Sequence, residues 1–465
     1  MKVPVACQTH ASRLATRSSS VAWSSLVMAL WLAQVGDARA KDPELSFERY
    51  RLDNGLEVIL HRDNSVPIVA VDVWYHVGSG DEVAGKSGFA HLFEHMLFQG
   101  SQHVGEDRHF EVLKTVGASG VNGSTNTDRT NYFEVVPSHQ LETALWLESD
   151  RMGYLLPILN RKSLDNQIDV VRNEKRQRID NVPYGSSYME LYAALYPEGH
   201  PYHHSVIGKH EDLASATVAD VVGFYETWYA PANATLVIAG DFETTAVRLA
   251  VQKWFGSFPL TSKPAHRSAA VPEVTRTRKQ VPDAFAKLRQ ITYAWHTPAA
   301  YREGDAEFDI LADVLASRTG RLEKILVQDR QLAQRVSARQ TSQQLGSYFQ
   351  VSALVKSGAD LGLVERIMKE EIGKVVAQPV SQREFDRAVV GYEARFVWRL
   401  ESLIARAETL HGYNHYLGDP GSITRDLDRF RKSSPSKVQS FAAKHLTKDK
   451  RIEILTLPTA AASTS

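Results

Sequence analysis

Two histidines and one glutamate interrupt an otherwise apolar run in residues 87–102, SGFAHLFEHMLFQGSQ. On a helix, at about 100° per residue, His91, Glu94 and His95 are neighbours on one face, because positions i, i+3 and i+4 lie side by side. Two imidazoles one turn apart can bind a single cation, and the carboxylate between them lies beside that ion. This pattern predicts a zinc site in which Glu94 takes a proton from a bound water.

The opposite face of the same predicted helix carries the apolar side chains that would anchor it. They recur at helical spacing and are Phe89, Leu92, Phe93, Met96 and Leu97. Packing of this face against a core would leave the polar stripe in a cleft or on a surface. A polar surface stripe without a metal is the alternative interpretation, because so short a motif also arises by chance.

Composition is typical of a soluble globular protein and limits the ligands that a metal could have. The 465 residues are 43% hydrophobic and 23% charged, and a chain of this length favours two or more domains. The 54 basic and 54 acidic residues balance, which argues against nucleic acid as the main partner. Cys7 is the sole cysteine. A mature chain without Cys7 must hold any metal through His, Asp and Glu.

The first forty residues have the layout of a secretory signal peptide. Basic residues precede the apolar stretch VAWSSLVMALWLAQV, and a small-residue cleavage site ends at Ala40. We therefore predict a signal peptide over residues 1–40, cleavage after Ala40 and export to the periplasm. An uncleaved anchor is the alternative, but the run is interrupted by polar residues and is shorter than the roughly 20 residues of a spanning helix. No stable membrane span is expected.

The rest of the chain repeats one order of elements. GLEVILHRD and IVAVDVWYHVGSG predict strands before the first helix, and LRQITYAWHTPAA precedes DAEFDILADVLASRTGRLEKIL in the same way. The Pro-rich and Ser-rich segment 259–284 between them is predicted to be a linker. The expected architecture is α+β, with homologous halves 41–264 and 265–465. Each is a roll-like, mainly antiparallel sheet covered by helices, and together they form a clamshell.

Several motifs carry a family resemblance over nearly the whole mature chain. HLFEHMLF resembles the inverted zinc motif H-x-x-E-H of the inverzincins. GASGVNGSTNTDRTNYFEVVP, VVRNEKRQRIDN, HPYHHSVIG and WYAPANATLVIAGDF follow in the order that is typical of pitrilysin/insulinase-type metallopeptidases. Among these, the sequence is most similar to the mitochondrial-processing-peptidase-like branch. The resemblance implies an N-terminal half that carries zinc and a homologous C-terminal half without zinc ligands.

The resemblance also implies a third zinc ligand, Glu174, on a later helix. Judged by the residues alone, Glu142, Glu148 and Asp150 remain alternatives. Two neutral imidazoles and one carboxylate would leave a positive metal with an open fourth position. In many relatives another glutamate lies two helical turns before this ligand, and here that position is Gln167, which can donate a hydrogen bond but adds no charge.

The roles of Asn122 and of a cluster of three histidines are each open to two interpretations. Asn122, in a Gly-rich turn that enters a strand, is either a contact for the substrate backbone or a residue that supports the turn. His200, His203 and His204 could suggest a second metal site. Their position between Pro201 and Gly208 favours loop residues instead.

The second half lacks a feature of active single-chain and homodimeric relatives, an arginine followed seven residues later by a tyrosine. The matching positions here are Val327 and Gln334. Other candidates in the region do not fit the spacing; they are Arg318, Arg321, Arg330 and Tyr348. Because losing an oxyanion donor costs about 10²–10³ in rate, the resemblance implies a homologous subunit that supplies the pair.

The sequence therefore predicts a zinc-dependent endopeptidase that hydrolyses unfolded peptides with a metal-activated water. It would bind one Zn²⁺ per chain and act as the catalytic subunit of a heteromer. The alternative is a non-catalytic scaffold or chaperone-like subunit of the same fold. A zinc-carrying binding protein without chemistry would have little use for a carboxylate that is not a ligand.

Overall fold

A computed structural model describes residues 42–459 of the chain. The predicted signal peptide over residues 1–40 lies outside the described residues. Among the described residues, those from Glu44 onward form one compact unit. Within the described range, none of the helices combines the length and apolar character that crossing a membrane requires.

The strands form two sheets, one in each half of the chain. They are β1 Glu48–Arg51, β2 Glu57–Arg62, β3 Ile68–Tyr75, β4 Ser119–Thr125, β5 Thr130–Pro137, β6 Ala234–Gly240, β7 Thr277–Asp283, β8 Gln290–Thr297, β9 Ala333–Thr341, β10 Ser347–Val355 and β11 Ile452–Pro458. The first sheet has the order β1-β2-β6-β3-β5-β4 and the second the order β7-β11-β8-β10-β9. Neighbouring strands are antiparallel except β2 with β6 and β7 with β11.

The helices cover these sheets. They are α1 Phe89–Gln99, α2 Arg108–Thr115, α3 Leu141–Gly153, α4 Arg161–Lys175, α5 Gly185–Leu195, α6 His210–Ala214, α7 Val218–Trp228, α8 Thr244–Phe255, α9 Asp305–Ala316, α10 Leu361–Ala377, α11 Gln382–Arg399, α12 Leu403–Leu417, α13 Ile423–Arg431 and α14 Pro435–His445. Two π-helical segments, Arg176–Asp180 and Glu323–Asp329, complete the helical elements that bear on the site.

The two sheets share one topology once β1 is set aside. In each, the first strand pairs in parallel with the last strand of its half, and the central hairpin ends on an edge strand, β4 or β9. The first α-helix after the central strand is α1 in the first half, after β3, and α9 in the second half, after β8. The predicted α+β class, with two homologous halves of mainly antiparallel sheet and helices, is confirmed.

Alternation along β3 explains how the first sheet is covered on both faces. Val69, Val71 and Val73 point into the core beneath α1, whereas Ala70 lies in a second cluster on the other face. Helix α12, which comes from the second half, packs on that other face. His411 Nε2 lies 3.0 Å from the backbone oxygen of Asp72 there. The central strand β3 is therefore covered on both faces and supports α1 from below.

The predicted linker is partly wrong. Its final residues form strand β7, because Thr277–Asp283 pairs in parallel with β11 from the far end of the chain. Residues 259–276 contain neither helix nor strand. The domain boundary near residue 265 falls in this segment and stays a prediction.

Candidate active site

The N-terminus of α1 is fixed before the polar stripe begins. Gly88 has φ +91°, and a Cβ there would lie 2.7 Å from the backbone oxygen of Ile207, so only glycine fits. The buried carboxylate of Glu82 accepts the backbone N–H groups of Gly88 at 2.9 Å and Ala90 at 2.7 Å. A carboxylate suits this end of a helix, because the first N–H groups have no partner within it.

The polar stripe faces a cleft, while the apolar face of α1 is buried as predicted. His91 is 9% exposed, and its ring centroid lies 4.9 Å from that of His95. Glu94 lies on the same face, where its Oε2 accepts a hydrogen bond from Thr125 Oγ1 at 2.8 Å. The three side chains thus share one wall of the cleft.

Glu174 comes from α4 to meet the two histidines. Its Oε2 lies 3.0 Å from His95 Nε2 and 3.6 Å from His91 Nε2. Ligands about 2.0–2.2 Å from a tetrahedral zinc are roughly 3.4 Å apart, so this donor set has the spacing that zinc requires. A buried side of α4, with Leu164, Ile168 and Val171, holds the carboxylate in place.

The alternative acids lie elsewhere. Glu142 pairs on the surface with Lys253, and Asp150 lies against His103, with its Oδ1 2.5 Å from Nδ1. Glu148 belongs to a second group of ligand-type side chains with His109 and Glu134, all buried. The guanidinium of Arg151 reaches into that group, 3.0 Å from Glu148 Oε1, so a cation of the protein already lies beside these carboxyl groups.

Electrostatics favour the protonation states that a metal needs. Burial, assisted by the neighbouring His95, lowers the pKa of His91 to about 4, so its imidazole is neutral at pH 7. The hydrogen bond with His95 lowers the pKa of Glu174, which is therefore ionised. Metal ligands must be deprotonated, and His91 and Glu174 meet this requirement.

Glu94 differs from Glu174 in its environment. Burial raises the pKa of Glu94, although the hydrogen bond from Thr125 opposes the shift. A carboxyl group whose pKa moves toward neutrality is suited to exchange protons at physiological pH. The environments of the two glutamates thus shift their pKa values in opposite directions, down for Glu174 and up for Glu94.

The cleft between α1, α4 and β4 has a volume of about 870 Å³. Apolar side chains share its walls with the polar stripe, among them Phe98, Phe110 and Val170. Gln167 also lines it and is buried. A cleft of this size can admit several residues of an extended chain.

Strand β4 forms one side of the cleft and is the free edge of the first sheet. Asn122 lies within this strand beside a bulge, rather than in the turn before it as predicted, and is exposed to the cleft. A Cβ on Gly123 would lie 3.0 Å from Phe98 Cε2 and 3.1 Å from Glu94 Cγ, so glycine allows the strand to approach α1.

Sequence reasoning missed three groups that contact the stripe or its neighbours. Thr125 and Glu82 have no signal in a single sequence, because their partners lie on other elements. Arg178 could have been found, since it is four residues after Glu174; its Nη1 lies 2.8 Å from Glu174 Oε1.

The second half brings no donor to this cleft among the described residues that line it. Val327 lies in a π-helical segment and Gln334 in β9. Arg321 is held by a bidentate pair with Glu384, and Tyr348 is buried in another cluster. His200, His203 and His204 lie in turns, as expected.

Two stretches of the chain match known protein-family descriptions. “Insulinase (Peptidase family M16)” matches residues 57–204 and “Peptidase M16 inactive domain” matches residues 215–391. The zinc protease PqqE of Helicobacter pylori is 28% identical over 364 residues, which are 76% of this chain and 80% of that protein. The uncharacterized zinc protease YmxG of Bacillus subtilis is 26% identical over 46% of this chain and 51% of its own.

Solved structures give the same picture. A protease from Helicobacter pylori superposes with a TM-score of 0.84 at 25% identity, over 90% of this chain and all of that one. The periplasmic protease PqqL from Escherichia coli shares the fold, with a TM-score of 0.73 at 16% identity. This chain spans about half of PqqL, since the match covers 91% of this chain and 49% of that one.

Proposed function

We propose that this chain, which belongs to peptidase family M16, the pitrilysin/insulinase-type proteases, is a zinc-dependent endopeptidase acting on unfolded peptides. One observation carries the proposal. Two imidazole nitrogens and the carboxylate of Glu174 converge at zinc spacing, and a separate carboxylate, Glu94, lies beside them in an open cleft.

His91, His95 and Glu174 would hold the ion through Nε2, Nε2 and Oε2. Zinc, when bound, supplies Lewis acidity that lowers the pKa of a coordinated water to about 7 and polarises a carbonyl group. The neutral imidazole of His91 and the ionised carboxylate of Glu174 support this assignment, because neither of these ligands has to lose a proton first.

Glu94 would carry the proton. As the water oxygen bonds to the scissile carbonyl carbon, the carboxylate of Glu94 accepts the proton that leaves the water. As the C–N bond breaks, Glu94 returns this proton to the amine nitrogen. Thr125 donates to Oε2 of Glu94 and so holds the carboxylate in one orientation.

The free edge of β4 would bind the substrate backbone. An extended peptide can add to such an edge through main-chain hydrogen bonds, so unfolded segments would be the preferred substrates. Asn122 is exposed at this edge and offers both a donor and an acceptor to the peptide. Its role as a substrate-binding residue is part of the proposal.

The enzyme would work as the zinc-carrying subunit of a heteromer in the periplasm. The second half, from residue 265, lines the zinc cleft with neither an arginine nor a tyrosine among its described residues. A homologous partner that supplies such a pair would complete the site. Export rests on the predicted signal peptide, and one relative of the same fold, PqqL, is described as a periplasmic protease.

Zinc content and peptide digestion test the function together. The mature chain should bind one Zn²⁺ and cleave a peptide library in a manner that a chelator abolishes and added zinc restores. A chain that binds zinc but cleaves nothing, alone or with a homologous subunit, would favour the scaffold alternative.

The heteromer is tested by purification with and without a co-encoded homologous subunit. The partner should raise kcat by about 10²-fold, the typical contribution of one oxyanion donor. Full activity of the chain alone would contradict this part of the proposal and leave the zinc chemistry intact.

A further inference from the structure

Arg178 brings a guanidinium group into the cleft from the zinc-carrying half itself. It lines the cleft together with His91, His95 and Glu94. Its side chain is 75% exposed, and Nη1 lies 2.8 Å from Glu174 Oε1. Among the contacts of residues 42–459, this ion pair is the one that fixes the guanidinium group. An arginine has five N–H donors, so most of them remain open to the cleft.

The backbone that carries Arg178 is unusual and well held. Helix α4 continues at Arg176 into a π-helical turn that ends at Asp180. Such turns are rare and often occur at functional sites, because they redirect side chains within a helix. Lys175 Nζ donates to Asp180 Oδ1 at 2.5 Å, and His210 Nε2 lies 2.7 Å from Asp180 Oδ2. The contacts of Asp180 thus hold the end of the turn, while the guanidinium group of Arg178 lies in the cleft.

Peptide hydrolysis needs a donor of this kind. When the water oxygen bonds to the carbonyl carbon, the π electrons move onto the carbonyl oxygen, which becomes an oxyanion. Preorganised donors around that oxygen supply about 10²–10³ in rate each. The second half offers Val327 and Gln334 at the positions where relatives carry donors, and neither of these two lines the cleft.

We propose that Arg178 is a catalytic residue that donates to the developing oxyanion from the same chain. The inference rests on the proposed peptidase function and deepens it. A guanidinium group is always charged, and its planar fork can keep one N–H on Glu174 while another reaches the substrate oxygen. A partner subunit would then add to this donor rather than supply the first one.

A purely structural role makes a different prediction. If Arg178 only orients Glu174, its loss weakens zinc binding, and saturating zinc restores turnover. If it donates to the oxyanion, turnover stays low although zinc is bound. Zinc content and kcat therefore separate the two roles.

The experiment compares Arg178→Met and Arg178→Lys in the full mature chain at saturating zinc. Arg178→Met should keep one zinc and lose about 10²-fold in kcat with little change in KM. Arg178→Lys should recover part of the loss, because it keeps the charge but not the fork. The matched control is Arg176→Met, since Arg176 is exposed on the same turn, bonds to Asn173 and does not line the cleft.

A second readout is the calorimetric affinity of a phosphinate peptide, whose tetrahedral anionic centre mimics the oxyanion. Arg178→Met should weaken this ligand by about the same factor as kcat. Wild-type kcat and wild-type phosphinate affinity in Arg178→Met would overturn the inference and leave the peptidase function standing. Turnover restored by saturating zinc would overturn it equally. A wild-type chain that binds no zinc, or that cleaves nothing with zinc bound even when the homologous subunit is present, would overturn both.

Discussion

The two halves of the molecule each form a cleft between corresponding elements, and only one of them has the chemistry of a metal site. The second cleft, of about 430 Å³, lies between α9, β9 and α11, as the first lies between α1, β4 and α4. Each central helix presents a stripe with i, i+3, i+4 spacing. In the first cleft the three residues of the stripe are His91, Glu94 and His95. In the second cleft they are Asp309, an alanine and Asp313, in the same order.

The facing helices also differ. Where α4 brings Glu174 to the two histidines, α11 brings two guanidinium groups near Asp313, at 3.9 Å for Arg387 and 3.8 Å for Arg395. The carboxylates of the second cleft therefore have cations of the protein as neighbours. One backbone framework can therefore hold either a set of side chains with metal-ligand spacing or a structural ion-pair cluster, depending on a few residues.

The largest expected effect comes from removing one proposed ligand in the first cleft. His95→Ala should abolish zinc binding and peptide hydrolysis, because two ligands do not hold the ion at a protein site of this kind. Asp313→Ala, at the end of the corresponding stripe, should leave zinc content and turnover unchanged. Metal analysis and peptide digestion measure both. Zinc binding that survives in His95→Ala would remove the distinction between the clefts.

The next effect separates the proposed proton carrier from the proposed ligands. Glu94→Gln should retain zinc and lose about 10²–10⁴ in kcat, because an amide cannot accept the proton of the water. Zinc per chain and kcat are measured on the same preparation. Wild-type turnover in Glu94→Gln would show that the stripe works without a general base at this position, and loss of zinc would make Glu94 a ligand.

A smaller effect is expected on the edge strands that flank the clefts. Gly123→Ala would place a methyl group 3.0 Å from Phe98 Cε2 and 3.1 Å from Glu94 Cγ. The overpacking should cost about 1–3 kcal/mol in the free energy of unfolding, and a displaced Glu94 should lower kcat/KM by up to about 10²-fold. Ala338→Gly, on β9 in the second cleft, is the control and should spare kcat/KM. Equal kinetics in both variants would contradict the tight approach of β4 to α1.

The smallest effect lies in the second cleft and concerns stability alone. Burial, aided by Asp305, raises the pKa of Asp309 to about 7 from its ordinary 3.8. The folded state then binds more protons than the unfolded state between about pH 4 and 7. Stability should fall as pH rises through this range, by up to about 1.4 kcal/mol per pH unit.

Asp309→Asn removes this titration. The variant should match the wild type near pH 4 and exceed it in stability above pH 7, as measured by denaturant unfolding. Parallel stability curves for the two proteins from pH 4 to 8 would contradict a raised pKa at Asp309. Turnover should be the same in both proteins, which separates the second cleft from the first.

Local periodicity explains which elements could be predicted from the sequence. The apolar spacing of Phe89 and its partners predicted α1, and alternation predicted β3 within the α+β fold, because both signals come from adjacent residues. The same reasoning was wrong for Thr277–Asp283, which was assigned to the linker. This polar, Pro-containing segment becomes a strand only because β11, from the end of the chain, pairs with it.

The candidate site divides in the same way. His91, Glu94 and His95 could be placed on one stripe because a single helix fixes their spacing. Asn122 was expected in a turn, and its place within β4 depends on a bulge against β5. Arg178 was overlooked, although it is four residues after Glu174, because only the structure shows that the π-helical turn leaves it in the cleft.

By itself, the sequence determined the family, the two-half plan and the stripe on α1, since side-chain chemistry and short-range spacing are written in neighbouring residues. Only the tertiary structure decided that Glu174, rather than Glu142, Glu148 or Asp150, meets the two histidines at 3.0 and 3.6 Å. The tertiary structure also decided that two arginines lie near Asp313 in the second cleft. The physical reason is that convergence of side chains from separate helices depends on how buried faces pack, and many chain-distant residues set that packing together.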